Sequence, residues 1–511
     1  MCTVWRYLAT NTLQWFARMA TVQDRMSTMH ALEVTKVAPE LFLLTLPKNE
    51  LDLLHRHRMG QRCDKFVMNS ACSGFDGFDI PTEAVLSAID RYFKLHEFGA
   101  PVKQVFAVEC EDWKKNLIGQ RKPHVRIFED VATLSEPTQT DWKTKDVCSV
   151  SPSTILFCTP VCKSFSGLQA KRSKFARVID KQIDDYLALG GNPYVDEDVD
   201  QHKESGATLF GIMLVIRINR GQKVTIVENV TGLSGENLKA LIAWCHESDC
   251  IVIDCILECA DGALPQHRTR RFLAVIVVPG LSGNTLLTFE KNTQLGMNDT
   301  LNCMKIGALN LGKFIDEATE VFDTVDPSPK KFRKDTGGNR RGEEAEWIGS
   351  HKTLYTLANI PFEMPSEVEA HVHATDPHFF ALGAQAQSIV TYLDHTRPTL
   401  APDEEETFDS SLTIKYVSVS KRVANTVSCT AALWARRRRV LLSPEIHLAL
   451  QGWDARDIPG WSTLNKGQKM ELAGDTYPTT MFQRFLIALL VHSPWLDLHG
   501  PASAASASGI Q

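Results

Sequence analysis

The sequence predicts an α/β protein with a doubly wound, mostly parallel sheet and a second, smaller and irregular domain. Short apolar runs rich in Val, Ile and Phe recur between residues 65 and 280, each followed by a polar stretch that can form a helix. This alternation is lost between residues 281 and 435 and returns from residue 436. At 511 residues, the chain is long enough for two or more domains.

The predicted strands follow one another in a regular order. The apolar runs are Phe66–Met68, Val102–Val108, Ile155–Cys158, Val224–Val227, Cys250–Leu257 and Phe272–Val278. Runs this short, separated by segments that favour helices, are typical of buried parallel strands. Doubly wound sheets bind ligands outside the carboxyl ends of their strands, so the residues after these runs are the candidates for a functional site.

The composition divides the chain into five segments. We predict an N-terminal extension (1–62), the first part of the main domain (63–280), an irregular domain (281–435), the C-terminal part of the main domain (436–495) and a disordered tail (496–511). The first 23 residues contain Arg6 and Arg18 but no acid, which is compatible with an organelle transit peptide or with a simple extension. Phe482–Val491 is strongly apolar, and we expect a helix that packs on the sheet.

Composition also excludes several classes of protein. Hydrophobic residues make up 43% and charged residues 23%, which excludes a wholly disordered or fibrous chain. No apolar stretch approaches the roughly 18–20 residues of a membrane helix, so we expect no membrane partner. The formal net charge of −6 excludes a globally basic nucleic-acid coat but not a local basic face.

The thirteen cysteines, an odd number without paired spacing, indicate a reducing compartment. One group contains Cys245, Cys250, Cys255 and Cys259, with His246 beside the first. Its spacing fits no zinc knuckle, so we predict buried thiols and no metal site.

Candidate binding residues follow the first three strands. A glycine turn, Ser73-Gly74-Phe75-Asp76-Gly77-Phe78, comes after the first strand, where glycines let backbone N–H groups approach a ligand. Glu109 ends the second strand, where nucleoside-binding sheets hold ribose hydroxyls. Asp130 follows a further short strand and could accept a hydrogen bond from adenine. Any one of these acids alone would equally fit a solvated strand end.

Candidate reactive residues follow the later strands. Cys162 lies in TPVCKSFS beside Lys163, where a cation could stabilise its thiolate, although most single cysteines are simply buried. Glu228 and Asn229 end the next strand. PQHRTRR, at residues 265–271, leads into the last strand with arginines that could hold phosphate or a base carbonyl, or could be solvated.

Taken in order, these motifs resemble the DNA (cytosine-5)-methyltransferase family. They are SGFDGF, VFAVECE, FEDV, TPVCKSFS, VENV and PQHRTRR, and two later blocks agree: RVLLSPE running on to QGW (residues 439–453) and AGDT (residues 473–476). The resemblance covers about residues 65–280 and 436–492. It implies a Rossmann-like S-adenosylmethionine-dependent methyltransferase fold, with a catalytic main domain and a target-recognition domain at 281–435.

The resemblance implies methyl transfer from S-adenosylmethionine to carbon 5 of cytosine in duplex DNA, by a DNA (cytosine-5-)-methyltransferase. Cys162 would add to carbon 6 of a flipped-out base, and Glu228 would hydrogen-bond the ring. Arg270 would hold the base carbonyl, Arg268 would fix the neighbouring backbone, and Asn229 would orient the glutamate loop.

The resemblance also implies a set of binding residues. Those for the cofactor are Ser73, Gly74, Phe75, Gly77, Glu109, Cys110, Asp130, Val131, Pro160, Val161, Asp475 and Thr476. The DNA-binding residues that we predict are Lys163, Ser166, Lys171, Arg172, Lys174 and Arg177, because five of these are cations and no acid precedes Asp180. The basic runs at 330–341 and 436–439 could extend this face, act as nuclear import signals or be solvated.

The chain departs from the family pattern at several positions. Asp76 stands in place of a glycine, Cys72 in place of an adenine-stacking aromatic residue, and Asp475 in place of an asparagine. Val161 replaces the proline before the cysteine, and Lys163 the glutamine after it. Two alternatives therefore stay open: a tRNA cytosine-5 methyltransferase, and a catalytically inactive methyltransferase-like DNA-binding regulator. We expect a monomer, located in the nucleus if the source is a eukaryote.

Overall fold

The computed structural model describes most of the main domain and parts of the remainder. The described residues are 16–60, 67–72, 74–95, 102–131, 134, 136–150, 153–160, 211–212, 215–216, 224–233, 235–322, 346–362, 377–380, 382, 384–412, 417–429 and 431–492.

Strands and helices are interspersed along the described residues. The strands are β1 (Met68–Ala71), β2 (Phe106–Val108), β3 (Arg126–Phe128), β4 (Thr138–Thr140), β5 (Val147–Ser149), β6 (Ile155–Cys158), β7 (Val224–Asn229), β8 (Cys250–Glu258), β9 (Gly262–Ala263), β10 (Thr269–Val277), β11 (Gly307–Ala308), β12 (Thr407–Asp409), β13 (Leu433–Ala435) and β14 (Val440–Leu441). The helices are α1 (Val34–Thr45), α2 (Lys48–Gly60), α3 (Asp79–Phe93), α4 (Asp112–Arg121), α5 (Glu236–Glu247), α6 (Gly283–Cys303), α7 (Leu311–Val321), α8 (Glu346–Leu357), α9 (Pro377–Phe380), α10 (Ala384–Thr396), α11 (Pro444–Ala449), α12 (Lys466–Asp475) and α13 (Thr479–Val491).

A seven-stranded sheet in the order β3-β2-β1-β6-β7-β10-β8 forms the centre of the protein. β1, β2, β3, β6 and β7 are parallel to one another, and β10 is antiparallel to both β7 and β8. This confirms the predicted doubly wound, mostly parallel, Rossmann-like sheet. The strand order reverses between β1 and β6, so the crevice for a ligand is expected at the carboxyl ends of these two strands.

Two details of the predicted sheet are wrong. The first strand is Met68–Ala71 and not Phe66–Met68, and all four of its residues are buried. The last strand, β10, is antiparallel because only the short segment 259–268 separates it from β8. A parallel connection needs a crossover of a dozen or more residues, usually a helix.

Helices cover both faces of the sheet. One face packs against α1, α3 and α13, and all thirteen residues of α13 are buried, which confirms the predicted apolar C-terminal helix. The other face packs against α5, through Leu241 and Cys245. Residues of α1 such as Leu41 and Phe42 are fully buried in the main core, although they precede the predicted start of the main domain.

α6 protects the exposed edge of the sheet at β8. The Glu290 carboxylate accepts the backbone N–H of Val252 at 2.8 Å. The Gln294 side chain accepts the N–H of Asp254 at 2.8 Å and donates to its carbonyl at 3.0 Å. Strand edges with free N–H and C=O groups invite pairing with other chains, and these side chains occupy them. α6 therefore belongs structurally to the main sheet, although it lies in the predicted irregular domain.

A separate hydrophobic cluster unites α8, α10 and the small sheet β12-β13-β14, with Phe408 and Trp434 fully buried at its centre. The domain boundaries at 280 and 435 stay predictions. No helix among the described residues is long and apolar enough to cross a membrane.

Candidate active site

The glycine turn after β1 is packed against the C-terminal part of the chain. Gly74 has a φ of +66°, a conformation that glycine adopts without strain. A Cβ at Gly77 would lie 2.5 Å from the ring of Phe75 and 2.7 Å from the ring of Trp453, so only glycine fits there. Phe75 itself is buried, edge-on to Trp453 at 5.0 Å. Its predicted contact with the cofactor is therefore limited to its backbone.

Glu109 lies buried at the carboxyl end of β2. Its Oε1 accepts the backbone N–H groups of Cys110 at 2.9 Å and Glu111 at 3.1 Å, which fix the carboxylate. Its Oε2 makes no hydrogen bond with any described residue, so one acceptor remains for a hydroxyl group. Burial raises the pKa of Glu109. A fixed carboxylate with one available oxygen fits the ribose of a nucleoside cofactor.

Three neighbouring strand ends bring the adenosine candidates together. β1, β2 and β3 are adjacent and parallel, so Cys72, Glu109 and Asp130 follow one another along the same edge. The pKa of Cys72 is raised well above its usual value, first by a hydrogen bond with Cys158, then by burial and by the carboxylates of Glu109 and Asp130. Asp130 and Val131 are partly exposed at the end of this row.

Glu228 and Arg270 form a buried ion pair on adjacent strands. The Nε atom of Arg270, on β10, lies 3.0 Å from Oε1 of Glu228, on β7, and the two side chains are 13% and 9% exposed. Burial raises the pKa of Glu228, while Arg270 and Arg268 act in the opposite direction. A raised pKa favours the neutral acid, which can donate one hydrogen bond and accept another.

Asn229 connects this pair to the end of β6. Its Nδ2 donates to the carbonyl of Pro160 at 3.4 Å, and its Oδ1 accepts the N–H of Val230 at 2.8 Å. Pro160 precedes Cys162 by two residues and is the last described residue before it. The described part of the chain therefore approaches Cys162 beside β7, the strand that carries Glu228. Nine predicted site residues lie outside the described residues: Ser73, Val161, Cys162, Lys163, Ser166, Lys171, Arg172, Lys174 and Arg177.

Arg268 connects the start of β10 to the C-terminal block. It is 2% exposed, and its guanidinium donates to the carbonyls of Val427 at 2.5 Å, Gly474 at 2.8 Å and Thr476 at 2.7 Å. These contacts agree with the predicted backbone-fixing role. They make Arg268 a positioning residue, because its guanidinium donates to carbonyls of the protein itself.

Asp475 and Thr476 lie at the end of α12, close to the end of β2. Lys114 of α4 pairs with Asp475 at 3.3 Å and with Glu471 at 3.2 Å. Although burial opposes its charge, the carboxylates of Asp475, Glu109 and Glu111 raise the pKa of Lys114. Lys114 is thus a cation shared by the C-terminal block and the ribose-binding candidate. Thr476 donates from its hydroxyl to the carbonyl of Ala473 at 3.2 Å.

Sequence reasoning missed Lys114, Gln104 and Lys122, because none belongs to a motif. Lys114 and Lys122 lie in and just after the polar helix α4, where a lysine ordinarily faces solvent, and both are almost fully buried. No local signal in the sequence marks these two lysines. They are identified by their contacts with acids that are far away in the sequence, Asp475 for Lys114 and Asp76 for Lys122.

The arginine run at 436–439 is neutralised by acids and does not form a free basic face. Arg436 pairs with Glu406 at 2.9 Å, and Arg439 with Asp394 at 2.6 Å. Arg437 pairs with Asp316 at 2.7 Å, and Arg438 contacts the same carboxylate. Because Asp316 is on α7 and Asp394 on α10, the run joins the main core to the second hydrophobic cluster. The basic cluster at 330–341 lies outside the described residues.

The predicted cysteine group consists of buried thiols. Cys245, Cys250, Cys255 and Cys259 are all buried, as predicted, and His246 bonds to Glu290 at 2.8 Å. In the described part of the chain, no group of three or more His, Cys, Asp or Glu residues is arranged to hold a metal ion.

No protein-family model and no curated protein matches the chain. Solved structures with some similarity include the Entamoeba histolytica methyltransferase EhMeth, at 9% identity and a TM-score of 0.39, covering 86% of this chain and 100% of that one. The S. pombe Dnmt2 methyltransferase has 11% identity and a TM-score of 0.37, and the match covers 84% of this chain and 98% of the Dnmt2 chain. A proposed DNA modification methyltransferase encoded within an E. coli prophage has 12% identity and a TM-score of 0.42, covering 83% and 98%.

All three are methyltransferases by name, the class that the sequence motifs resemble. Their TM-scores lie below 0.5, so the fold assignment rests on the strand order and the strand directions of the sheet.

Proposed function

We propose that this protein transfers a methyl group from S-adenosylmethionine to carbon 5 of cytosine in duplex DNA. The main support is the buried Glu228–Arg270 pair, which Asn229 connects to Pro160, two residues before the proposed nucleophile Cys162. A buried acid at the carboxyl edge of a parallel sheet, next to the strand that leads towards Cys162, suits addition to a pyrimidine ring.

The residues at the edge of β1 and β2 fit the cofactor. Glu109 would accept hydroxyl protons of the ribose through Oε2, and the turn 74–77 would approach the cofactor with its backbone. Asp130 would accept a hydrogen bond from the adenine amino group. S-adenosylmethionine, when bound, supplies an electrophilic methyl group on a sulfonium.

Glu228 would activate the cytosine ring. As a neutral acid it can donate a proton in a hydrogen bond to ring N3 and accept one from the exocyclic amino group. Burial raises the pKa of Glu228 and so shifts this carboxyl towards the protonated form that can donate to the ring as the thiolate of Cys162 adds to carbon 6. Arg270 would hold Glu228 in place and contact the base carbonyl. Carbon 5 would then take the methyl group, with the sulfonium leaving as a neutral thioether, and loss of the proton from carbon 5 with elimination of the Cys162 thiolate would release the product.

The base must leave the helix to reach this acid. A stacked cytosine hides carbon 6, and flipping it out costs a few kcal/mol. The five cations between Lys163 and Arg177 would stabilise the opened duplex through its phosphates. These cations follow Cys162 directly in the sequence, so the proposed phosphate contacts would lie next to the proposed nucleophile along the chain.

A transfer assay tests the proposal. The protein, its Cys162→Ala variant and a Cys303→Ala control are incubated with S-adenosylmethionine tritiated in the methyl group and with duplex DNA or tRNA. Cys303 is a partly buried thiol of α6, on the core side, so its loss should leave transfer unchanged.

Label in DNA that is lost only in Cys162→Ala supports the proposal. Label in tRNA alone would move the same chemistry to RNA. Absence of label from both, with duplex binding intact in a gel-shift experiment, would contradict catalysis and favour a binding role.

A further inference from the structure

The acid at position 76 is turned away from the cofactor crevice. Asp76 has a φ of +59°, in the left-handed region that normally favours glycine, and it is fully buried. Its Oδ2 accepts the Nε2 hydrogen of Gln104 at 2.6 Å and lies 3.1 Å from the Nζ atom of Lys122. The carboxylate therefore faces the protein interior beneath the turn.

Arg121 and Lys122, at the end of α4, bind the backbone of the same turn. The carbonyl of Asp76 accepts hydrogen bonds from Lys122 Nζ at 2.6 Å and from Arg121 at 2.7 Å. Lys122 also donates to Gln104 at 2.5 Å, and Arg121 binds the carboxylate of Asp79 at 2.8 Å and 2.9 Å. The glycine turn is thus connected to α4 by both its backbone and its one charged side chain.

We propose that Asp76 and Lys122 form a positioning pair that holds the glycine turn in the shape that receives S-adenosylmethionine. The inference rests on the proposed function in one respect, namely that this turn binds the cofactor. A non-glycine residue in the left-handed region is strained, and a buried carboxylate is costly unless it is paired. The pairing with Lys122 and Gln104 offsets both costs and fixes the backbone N–H groups of the turn.

The pair differs from an ordinary stabilising ion pair because it determines the turn's geometry. Removing Lys122 leaves a buried carboxylate under the turn without its ammonium partner, and the turn must shift to hydrate or protonate it. Removing both charges of the pair, with glycine at position 76, leaves neither of them in the interior and puts a residue there that tolerates the φ of +59°, while Asp79 keeps its ion pair with Arg121. Cofactor affinity should therefore recover in the double variant.

The test measures the Kd for S-adenosylmethionine by isothermal titration calorimetry, together with the thermal midpoint of each variant. We expect Lys122→Met to weaken binding about tenfold, which corresponds to a coupling typical of residues in one network. The variant Asp76→Gly/Lys122→Met should regain most of this loss. If Lys122→Met does not fold, Asp76→Asn takes its place. This variant keeps the contact between Lys122 and Asp79 at 3.2 Å, and it should also weaken the binding of S-adenosylmethionine.

Arg58→Met is the matched control. Arg58 and Asp90 form an equally buried pair at 2.8 Å between α2 and α3, with side chains 6% and 10% exposed. Asp90 lies eleven residues beyond Asp79 on α3, about 17 Å along the helix from the turn. This variant should lower the thermal midpoint and leave the Kd unchanged.

Each outcome decides the inference. Unchanged affinity in Lys122→Met, equal weakening in Arg58→Met, or a double variant weaker than Lys122→Met would overturn the positioning role and leave the proposed function intact. A wild-type protein that does not bind S-adenosylmethionine would overturn both.

Discussion

Removal of Arg268 should destabilise the fold by an amount that its contacts predict. Arg268→Ala deletes three hydrogen bonds from a guanidinium that is 2% exposed, and it leaves the carbonyls of Val427, Gly474 and Thr476 without this donor. Each bond from a charged donor is worth roughly 1.5–3 kcal/mol, and such bonds are not additive. We therefore expect the free energy of unfolding to fall by about 3–5 kcal/mol, which is less than the sum of three such bonds.

Urea unfolding followed by tryptophan fluorescence measures this change, because Trp453 lies in the block that Arg268 holds. In Arg268→Lys the charge is kept, but a lysine ammonium cannot reach all three carbonyls as the planar guanidinium does. The loss of stability should therefore be smaller than in Arg268→Ala. Arg270→Ala is the contrasting variant. Because Glu228 can take up a proton once Arg270 is gone, we expect a smaller destabilisation than in Arg268→Ala, together with loss of methyl transfer. A change below about 1 kcal/mol in Arg268→Ala would refute the assignment of Arg268 as a structural connection.

Three further predictions concern buried charges. Burial raises the pKa of Glu228, so the folded state binds this proton more tightly than the unfolded state. The free energy of unfolding of the wild type should therefore fall, relative to that of Glu228→Gln, as the pH rises from about 4.5 through the raised pKa. Denaturant titrations at several pH values should show this divergence. Burial lowers the pKa of His447 to about 4. Acidification from about pH 6.5 to about pH 4 should therefore lower the free energy of unfolding of the wild type by about 3 kcal/mol. An acid-unfolding titration should show that His447→Gln lacks this loss of stability. Asp316→Asn removes a partly exposed carboxylate from Arg437 and Arg438, and it should lower stability by about 1 kcal/mol at low ionic strength and less in 1 M salt, as measured by thermal melts in both buffers.

Much of the sheet could be predicted from the sequence because its strands are short, apolar and buried. Ile155–Cys158 forms β6 with the predicted bounds, and all four of its residues are buried. The antiparallel direction of β10 was not predicted, because it depends on the length of a connection and not on the apolar pattern. The first strand was misplaced because Met68-Asn69-Ser70-Ala71 contains two polar residues, which are nevertheless buried in the sheet.

Candidate site residues could be predicted only where they lie at the carboxyl ends of strands or directly after them. Glu109 and Glu228 could be found in this way, because the carboxyl ends of parallel strands share one edge. Lys122 could not be found, since its partner Asp76 is 46 residues away in the chain. The arginine run at 436–439 had the composition of an exposed basic face, and the acids that neutralise it are up to 122 residues distant. Local composition carries no information on such contacts.

The most direct test of the proposed chemistry is a covalent trap. The protein is incubated with S-adenosylmethionine and a duplex oligonucleotide that contains 5-fluorocytosine, whose fluorine cannot leave as the proton does. Mass spectrometry should then identify a protein–DNA adduct on the peptide that contains Cys162, and Cys162→Ala should give none. An adduct on a different residue, or the absence of an adduct under conditions in which the duplex is bound, would contradict nucleophilic addition by Cys162.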